Sequence, residues 1–444
     1  MRRLFIASAY FLVTACTVWV GVAAQSPADN PNKPLVFTAT PRYDAIAWMR
    51  GSDRFPAGAK VMVHENGQQR ELIPDFAATA DPAVSFDATA ILFAGKRGPQ
   101  DTWQIWEVAG SEGKPRRVTN CSGDCVRPFY LPGDRLAYAQ KVAGRFVIAA
   151  ASLEGGNPLQ LTYAPGNSLP TDILRDGRIL FEAAYPMGNG RTPEIYTIYS
   201  DGSGVESYRC DHGPRRQAGK QTASGDIVFV DDKGLGRFTS ALAHGIELKA
   251  PGGDFTGDVV ESGSEKYLVS WRPSATTHYS LQIWNTKAGS LSAVATASDA
   301  DLVQPAIVAP RPVSNQHPSG LHEWSYANLL CLNTYTSKQR IPTGSVKSAR
   351  LYTADEKGKP SLLGASPVEA DGSFYVQVPG DKPLQIELLD AQGKTVVREK
   401  GWWWMRKGEQ RICVGCHAGP ERSPENAVPA VLVKSTKPIV MTGK

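Results

Sequence analysis

The stretch Asp81-Pro-Ala-Val-Ser-Phe-Asp-Ala-Thr-Ala-Ile-Leu-Phe93 decides the fold of this chain, because it sets a turn directly before an apolar strand. Two further short strands follow it, Trp103-Gln-Ile-Trp-Glu-Val108 and Pro115-Arg-Arg-Val-Thr119. The same plan recurs with turns at positions 88, 133, 177, 225 and 263, roughly 38 to 48 residues apart, which is the period of four-stranded propeller blades. These five copies, with an N-terminal piece containing Pro34-Leu-Val-Phe37 and Lys60-Val-Met-Val-His64, predict six blades.

The repeats share a turn and two strand motifs. Asp176-Gly177, for example, precedes Ile179-Leu-Phe181, and Glu194-Ile-Tyr-Thr-Ile198 follows as the next strand. In these motifs the chain resembles the TolB-like propellers. A single blade exposes apolar faces, whereas radial stacking buries them between neighbours and leaves only short edges. We therefore expect the tryptophans and tyrosines of the repeats to pack between blades and not to bind a substrate.

The composition is that of a large, turn-rich globular protein. The chain has 444 residues, of which 42% are hydrophobic and 20% charged, with 42 glycines and 32 prolines. This length predicts two or three domains and a sizeable core. The net charge of +5 is small and the basic residues are scattered. We therefore expect no nucleic acid as a partner and no basic membrane-binding surface.

The first 24 residues have the pattern of a signal peptide. Arg2 and Arg3 form a positive start, an apolar run follows, and Val22-Ala23-Ala24 is a small-residue cleavage site. The pattern predicts a periplasmic or otherwise exported bacterial protein. Two alternatives stay open, a lipoprotein-like box at Val13-Thr-Ala-Cys16 and an uncleaved membrane anchor. A membrane is a partner only in those two cases.

Near the C-terminus, Cys413-Val-Gly-Cys416-His417 has the spacing of a covalent c-type haem attachment site. Two thiols separated by two residues can form thioethers to the two vinyl groups of a porphyrin, and the next histidine can serve as the proximal ligand of the iron. We predict one covalent haem c, attached at Cys413 and Cys416, with His417 as its metal ligand.

Other interpretations of this motif are weaker. A structural zinc site needs a second Cys/His pair at ligand spacing, and Cys331 stands alone in the sequence. A thioredoxin-like pair opens a helix after a strand, and residues 395–412 do not have that pattern. A chance occurrence of the motif is the third alternative.

The predicted fold is all-β, with four segments in chain order. Residues 1–24 are the signal peptide and residues 25–325 the six-bladed TolB-like β-propeller. Residues 326–400 form a small β-sandwich, because short alternating segments such as Gly344–Tyr352 are separated by turns. Residues 401–444 are the c-type haem-binding segment and tail.

The remaining cysteines have simpler interpretations. Cys121 and Cys125 flank a Ser-Gly turn, and in an oxidising compartment this spacing favours a small disulfide over a metal pair. Cys210 and Cys331 have no chemistry assigned to them, because a single cysteine is often a small buried hydrophobe. A long-range bridge between these two is the alternative.

The later part of the chain resembles the middle domain of the hydrazine synthase alpha subunit. The resemblance is carried by Val368-Glu-Ala-Asp-Gly-Ser-Phe-Tyr-Val-Gln-Val-Pro379 and by the segment from Arg411 to Pro429. It implies thioethers at Cys413 and Cys416 and axial ligation by His417. Relatives often have an acidic residue where this chain has Ala418, and that alpha subunit has a further haem domain and partner subunits. Hydrazine synthesis itself is therefore not expected.

Three functions are compatible with the sequence. The first is an exported monohaem cytochrome c-like protein for electron transfer or redox sensing, with the propeller as scaffold or partner-binding platform. The second is a haem enzyme acting on a small nitrogen or oxygen species, and the third an interaction module with a structural haem. The partner is accordingly a redox protein or a small ligand. The sixth iron ligand distinguishes the first two functions, and its candidates are Met405, His317, His322, Tyr326 and Tyr335.

Overall fold

The computed structural model describes residues 33–185, 192–209, 215–241, 244–248, 251–337, 339–416 and 426–442. The predicted signal peptide, Cys210 and His417 lie outside these ranges. The described part is almost entirely β, with a 3-10 turn at Ala47–Arg50 and one short helix, α1, at Ala430–Lys434. No helix within the described ranges is long and apolar enough to span a membrane.

The first 24 described strands form six four-stranded sheets. They are β1 Leu35–Thr40, β2 Lys60–Glu65, β3 Gln68–Glu71, β4 Ala78–Val84, β5 Ala90–Lys96, β6 Gln104–Ala109, β7 Arg116–Arg117, β8 Cys125–Leu131, β9 Arg135–Val142, β10 Arg145–Ser152, β11 Leu159–Gln160, β12 Asn167–Ile173, β13 Ile179–Ala184, β14 Glu194–Ile198, β15 Glu206–Ser207, β16 Gln217–Gln221, β17 Ile227–Asp231, β18 Gly234–Phe238, β19 Ile246–Leu248, β20 Asp254–Gly263, β21 Lys266–Arg272, β22 Ser280–Asn285, β23 Ser290–Ala295 and β24 Asp301–Ile307. Blades 2 to 6 each use four consecutive strands, from β4–β7 to β20–β23.

The ring is closed because the last strand of the propeller pairs with the first strand in one sheet. Blade 1 has the order β24-β1-β2-β3, so its innermost strand comes from the end of the repeat region. The innermost strands also contact one another in sequence around the ring, from β4 through β8, β12, β16 and β20 to β24, which contacts β4. This arrangement confirms the predicted six-bladed propeller. The predicted propeller extends to residue 325, but no sequence motif indicated this closing strand.

Each innermost strand carries an irregularity that explains why the sequence pattern did not reveal it. The register shifts where each innermost strand pairs with the next strand of its blade. In four of these strands a non-glycine residue has positive φ, namely Asp81, Arg127, Ala218 and Gln304. A bulge breaks the alternation of apolar and polar residues. The stretch Asp81–Phe93 therefore contains the end of strand β4 where the pattern indicated only a turn.

The bulged residues place charged side chains at the propeller axis. The Arg127 guanidinium donates two hydrogen bonds of 2.9 Å to the carboxylate of Asp258 in blade 6. Arg54 Nη2 pairs with Asp81 Oδ2 at 2.5 Å, and Gln304 Nε2 donates to Asp81 Oδ1 at 2.5 Å. All five side chains are buried. These bonds join blades 1, 2, 3 and 6 across the axis and satisfy groups that burial would otherwise leave without partners.

Glu182 lies beside this charged cluster and gives the fold a testable pH dependence. Burial raises its pKa to about 7, although Arg127 and the hydrogen bond that its carboxylate accepts from the Ala218 N–H oppose this. In the unfolded chain the group ionises near 4.5. Between these pH values the folded protein holds a proton that the unfolded chain has lost. Stability therefore falls as pH rises through this window, by up to about 3 kcal/mol.

We expect Glu182→Gln to remove this loss and to be more stable than the parent protein above pH 7. Denaturant unfolding of both proteins between pH 5 and 8 measures the difference. Glu154→Gln is the matched control, because the Glu154 side chain is 83% exposed and its replacement should shift stability by under about 0.5 kcal/mol. A Glu182→Gln difference that does not change with pH would contradict the assignment.

The remaining strands form a β-sandwich, as predicted. They are β25 Tyr326–Cys331, β26 Ser348–Ala354, β27 Pro360–Pro367, β28 Phe374–Pro379, β29 Lys382–Leu389, β30 Thr395–Arg398, β31 Trp403–Met405, β32 Gln410–Cys413 and β33 Ile439–Val440. One sheet has the order β32-β25-β28-β33 and the other β27-β26-β29-β30, with β31 also paired to β29. Leu329 and Val376 of the first sheet share a core with Leu351 and Leu388 of the second. Strands from the predicted haem-binding segment thus complete both sheets.

Candidate functional site

The haem motif begins on an edge strand of the sandwich. Strand β32 pairs in parallel with β25, and the pairing places Cys413 directly opposite Cys331. The Leu332 N–H donates to the Cys413 carbonyl at 2.9 Å, and the Asn328 N–H donates to the Glu409 carbonyl at 2.9 Å. The position of Cys413 is therefore fixed by backbone hydrogen bonds at both ends of the strand pair.

The turn after Cys413 is packed against the loop that follows β25. A Cβ atom at Gly415 would collide with the carbonyl oxygen of Thr336 and come within 2.8 Å of that of Asn333. Only glycine fits here without moving backbone, since both obstacles are main-chain atoms. This close approach directs Cys416 back toward strand β25.

Three thiols consequently lie together. Cys331 is 3% exposed, whereas Cys413 and Cys416 are half-buried, and none of the three is in a disulfide. The neighbouring Cys416 thiol, together with burial, raises the pKa of Cys331 well above its usual value. Burial likewise raises the pKa of Cys413 to about 11, against the opposing effect of Arg411. Cys331 and Cys413 are therefore protonated at neutral pH.

Both motif cysteines face a cavity of about 180 Å³ between propeller and sandwich. Its blade 4 side is formed by Tyr196 and Val205–Ser207. Its other walls are mostly apolar and come from the sandwich and the tryptophan run; they are Leu329, Cys331, Phe374, Ile386, Leu388, Val397, Glu399, Gly401, Trp402, Trp403, Arg411, Cys413, Gly415 and Cys416. The cavity thus combines three free thiols with aromatic and aliphatic walls.

The tryptophan run Trp402-Trp403-Trp404 anchors the sandwich to the propeller. Trp402 and Trp404 are buried in a propeller cluster, and Trp404 Nε1 donates to the Leu161 carbonyl at 3.0 Å. Met405 instead belongs to the sandwich core, while Trp403 touches both clusters. An extended chain points successive side chains to opposite sides, so Trp402 and Trp404 enter the propeller cluster while Met405 enters the sandwich core.

Polar contacts reinforce the same junction. Arg406 Nη1 donates to the Gln160 carbonyl at 2.8 Å and also to the Tyr163 hydroxyl. Arg411 Nη1 donates to the Val205 carbonyl at 3.3 Å, and its guanidinium is also held by Glu409 at 2.6 Å. Since Arg411 lies two residues before Cys413, these bonds tie the start of the motif to blade 4.

Part of the chain around this cavity is similar to a known protein family. Residues 333–418 match the hydrazine synthase alpha subunit middle domain. Hydrazine synthase subunit alpha of Kuenenia stuttgartiensis is 36% identical over 61 residues, which are 14% of this chain and 8% of that protein. The solved structure of Kuenenia stuttgartiensis hydrazine synthase aligns over 92% of this chain and 72% of its own, with 17% identity and a TM-score of 0.77. TolB from Acinetobacter baumannii aligns over 62% of this chain and 66% of its own, at 14% identity and a TM-score of 0.47.

The similarity to hydrazine synthase covers more of the chain in the structural comparison than in the family match. The structural alignment covers the propeller as well as the sandwich and supports the same fold for both. The family match is confined to residues 333–418, which include both motif cysteines, Gly415 and the tryptophan run. Cys331 lies just before the matched residues, so its position opposite Cys413 is seen only in the structure.

The five candidates for the sixth iron ligand have other contacts. Met405 is fully buried in the sandwich core, and the Tyr335 hydroxyl donates to the Val346 carbonyl at 3.3 Å. His317 stacks on Tyr199, while His322 and Tyr326 stack on the two sides of Trp324. None of the five is among the described residues that line the cavity. His417, the predicted proximal ligand, lies outside the described residues.

Other cysteine predictions have separate outcomes. In the structure Cys121 and Cys125 form a disulfide with a Cα–Cα distance of 6.3 Å. Cys210 lies outside the described residues.

Within the described ranges, no group of three or more His, Cys, Asp or Glu side chains has the arrangement of a metal site. Sequence reasoning treated Cys331 as isolated, because parallel pairing of β25 with β32 has no signal in residue spacing.

Proposed function

We propose that this chain is an exported c-type haem protein with one haem attached through Cys413 and Cys416 and ligated on its proximal side by His417. The observation that carries the proposal is that both thiols of the motif line one mainly apolar cavity. Bound haem would supply redox and small-ligand chemistry at its iron. The likeness to hydrazine synthase supports a cofactor-dependent role without specifying the substrate.

The residues of the cavity fit a porphyrin edge. Trp402, Trp403 and Phe374 offer flat apolar surfaces, and the neighbouring aliphatic side chains exclude water. Glu206, Glu399 and Arg411 are the charged residues at the cavity. The Arg411 guanidinium lies over the Trp403 ring, 5.4 Å from its centroid. Burial and polarity of the surroundings tune the redox potential of a haem, so these groups would set the properties of the bound cofactor.

The distal side of the haem would accept a small ligand in this proposal. The supporting observation is that none of the five sequence candidates for a sixth ligand lines the described cavity. An iron with an exchangeable sixth position suits small-molecule binding or turnover, whereas two strong protein ligands suit electron transfer. The second function in the sequence-based set, a haem enzyme or sensor for a small nitrogen or oxygen species, is therefore favoured over simple electron transfer.

Carbon monoxide tests this proposal. The chain is expressed with a cytochrome c maturation system, reduced with dithionite and mixed with carbon monoxide in a stopped-flow spectrometer. We expect rapid formation of a carbonyl Soret band. A six-coordinate low-spin spectrum that carbon monoxide does not change would instead favour electron transfer or a structural haem. Loss of all haem on acid-acetone extraction would refute covalent attachment, a separate part of the proposal.

Export and a protein partner complete the proposal. The Cys121–Cys125 disulfide supports an oxidising compartment. The Kuenenia relative is named as a subunit, which supports assembly of this chain with another protein. Fractionation of the native host with osmotic shock would locate the chain, and recovery only from the cytoplasm would contradict export.

A further inference from the structure

The cluster of Cys331, Cys413 and Cys416 is not explained by haem attachment, which uses only two thiols. Cys331 is buried in the sandwich core, and Cys413 and Cys416 both pack against that core. The same residue lies opposite Cys413 in the parallel strand pair and lines the same cavity. Strand pairing, core packing and the shared cavity thus all place this third sulfur beside the attachment site.

The packing of the turn favours one pair within the cluster. Cys413 is the last residue of strand β32, and the turn through Gly415 carries Cys416 back against the loop that directly follows Cys331 at the end of β25. The Cys416 thiol is also the main cause of the raised pKa of Cys331. Disulfide formation requires two sulfurs that can approach to bonding distance without backbone movement. The packing of the turn therefore favours Cys331 and Cys416 as the pair.

We propose that Cys331 and Cys416 form a disulfide in the haem-free protein and that this bond controls when haem can be attached. The oxidant is a disulfide of the glutathione class. The half-buried Cys416, as its thiolate, attacks one sulfur of the oxidant and releases one thiol. The thiolate that leaves the oxidant takes the proton of the Cys331 thiol, and the Cys331 sulfur then attacks the Cys416 sulfur of this mixed disulfide and releases the second thiol. Two protein thiols are oxidised, and one disulfide is reduced to two thiols.

The bond would have a direct consequence for the motif. A thioether at Cys416 needs a free thiol, so an oxidised Cys331–Cys416 pair prevents attachment at the second cysteine and leaves Cys413 free. Once the thioether forms, Cys416 is no longer available to Cys331. The two covalent states exclude each other. This consequence rests on the proposed haem attachment, whereas formation of the disulfide does not.

The first experiment uses full-length haem-free protein without any maturation system. The reduced protein is desalted, incubated with oxidised glutathione, alkylated and digested without reductant for mass spectrometry. We expect a cross-linked peptide pair containing Cys331 and Cys416, lighter by about 2 Da than the two free peptides because two thiol hydrogens are lost. Cys413 should remain alkylated. A dominant Cys413–Cys416 bond, or glutathione retained on Cys416, would overturn the inference.

The second experiment compares the parent chain with Cys331→Ala, which keeps an apolar side chain in the core. Both are expressed with the maturation system under oxidising growth, and covalent haem per chain is measured by pyridine haemochrome. We expect more haem in Cys331→Ala and equal haem in the two proteins when reductant is added. Equal haem under both conditions would refute the control of attachment. If neither protein binds haem, the proposed function fails, while the peptide map still decides the disulfide.

Discussion

Serine at both Cys413 and Cys416 is expected to abolish covalent haem attachment while leaving the propeller folded. A hydroxyl cannot form the thioethers that fix the porphyrin, and both side chains line the same cavity. The two residues are half-buried on an edge strand and its following turn. Their replacement should therefore lower the free energy of unfolding by about 1 kcal/mol or less. Haem would be lost without loss of the fold.

Haem-stained denaturing gels and acid-acetone extraction measure the result. The matched control is Cys121→Ser with Cys125→Ser, which replaces the same number of cysteines and removes the disulfide at the start of blade 3. That variant should retain covalent haem after expression with the maturation system. Covalent haem on the Cys413→Ser, Cys416→Ser protein would show that another residue attaches it. Loss of haem from the control would show that the assay reports folding and not attachment.

The propeller was predictable because its signal is local and repeated. Turns before strands such as Ile179–Ala184 recur at a nearly constant period, and weak copies gain significance when several agree. The innermost strands escaped prediction because bulges at Asp81, Arg127 and their equivalents interrupt the two-residue alternation. The closing strand Asp301–Ile307 escaped because its partner, Leu35–Thr40, is distant in the sequence.

The candidate site shows the same division between local and long-range information. Cys413, Cys416 and His417 were found from spacing alone, since the motif is contiguous. Cys331 was assigned no role, because its proximity depends on a parallel strand pair between distant segments. The blade 4 wall of the cavity, including Tyr196 and Val205, was also missed. Its residues belong to ordinary blade strands and become part of the site only through the docking of the tryptophan run.

That docking depends most on Trp404, and Trp404→Ala is expected to have the largest effect on stability of any substitution near the cavity. The side chain is fully buried, donates to the Leu161 carbonyl, and lies edge-on to Tyr163 and Tyr185 with centroids 6.4 Å apart in both cases. Replacing a buried tryptophan by alanine costs about 3 to 5 kcal/mol. Trp404→Phe keeps most of the packing and loses the hydrogen bond, at a cost of about 1 kcal/mol.

Urea unfolding measures the free energy of unfolding of the two variants. Hydrogen exchange shows which segment is destabilised. We expect Trp404→Ala to increase exchange in residues 402–413, because the segment that supports Trp402, Trp403 and Cys413 loses its anchor in the cluster between blades 3 and 4. Trp324→Ala is the control, since Trp324 is 39% exposed and its loss should cost under about 1 kcal/mol. If Trp404→Ala were no less stable than Trp324→Ala, the sandwich would be held to the propeller mainly by the polar bonds of Arg406 and Arg411. The cavity would then depend on those arginines and not on the buried indole.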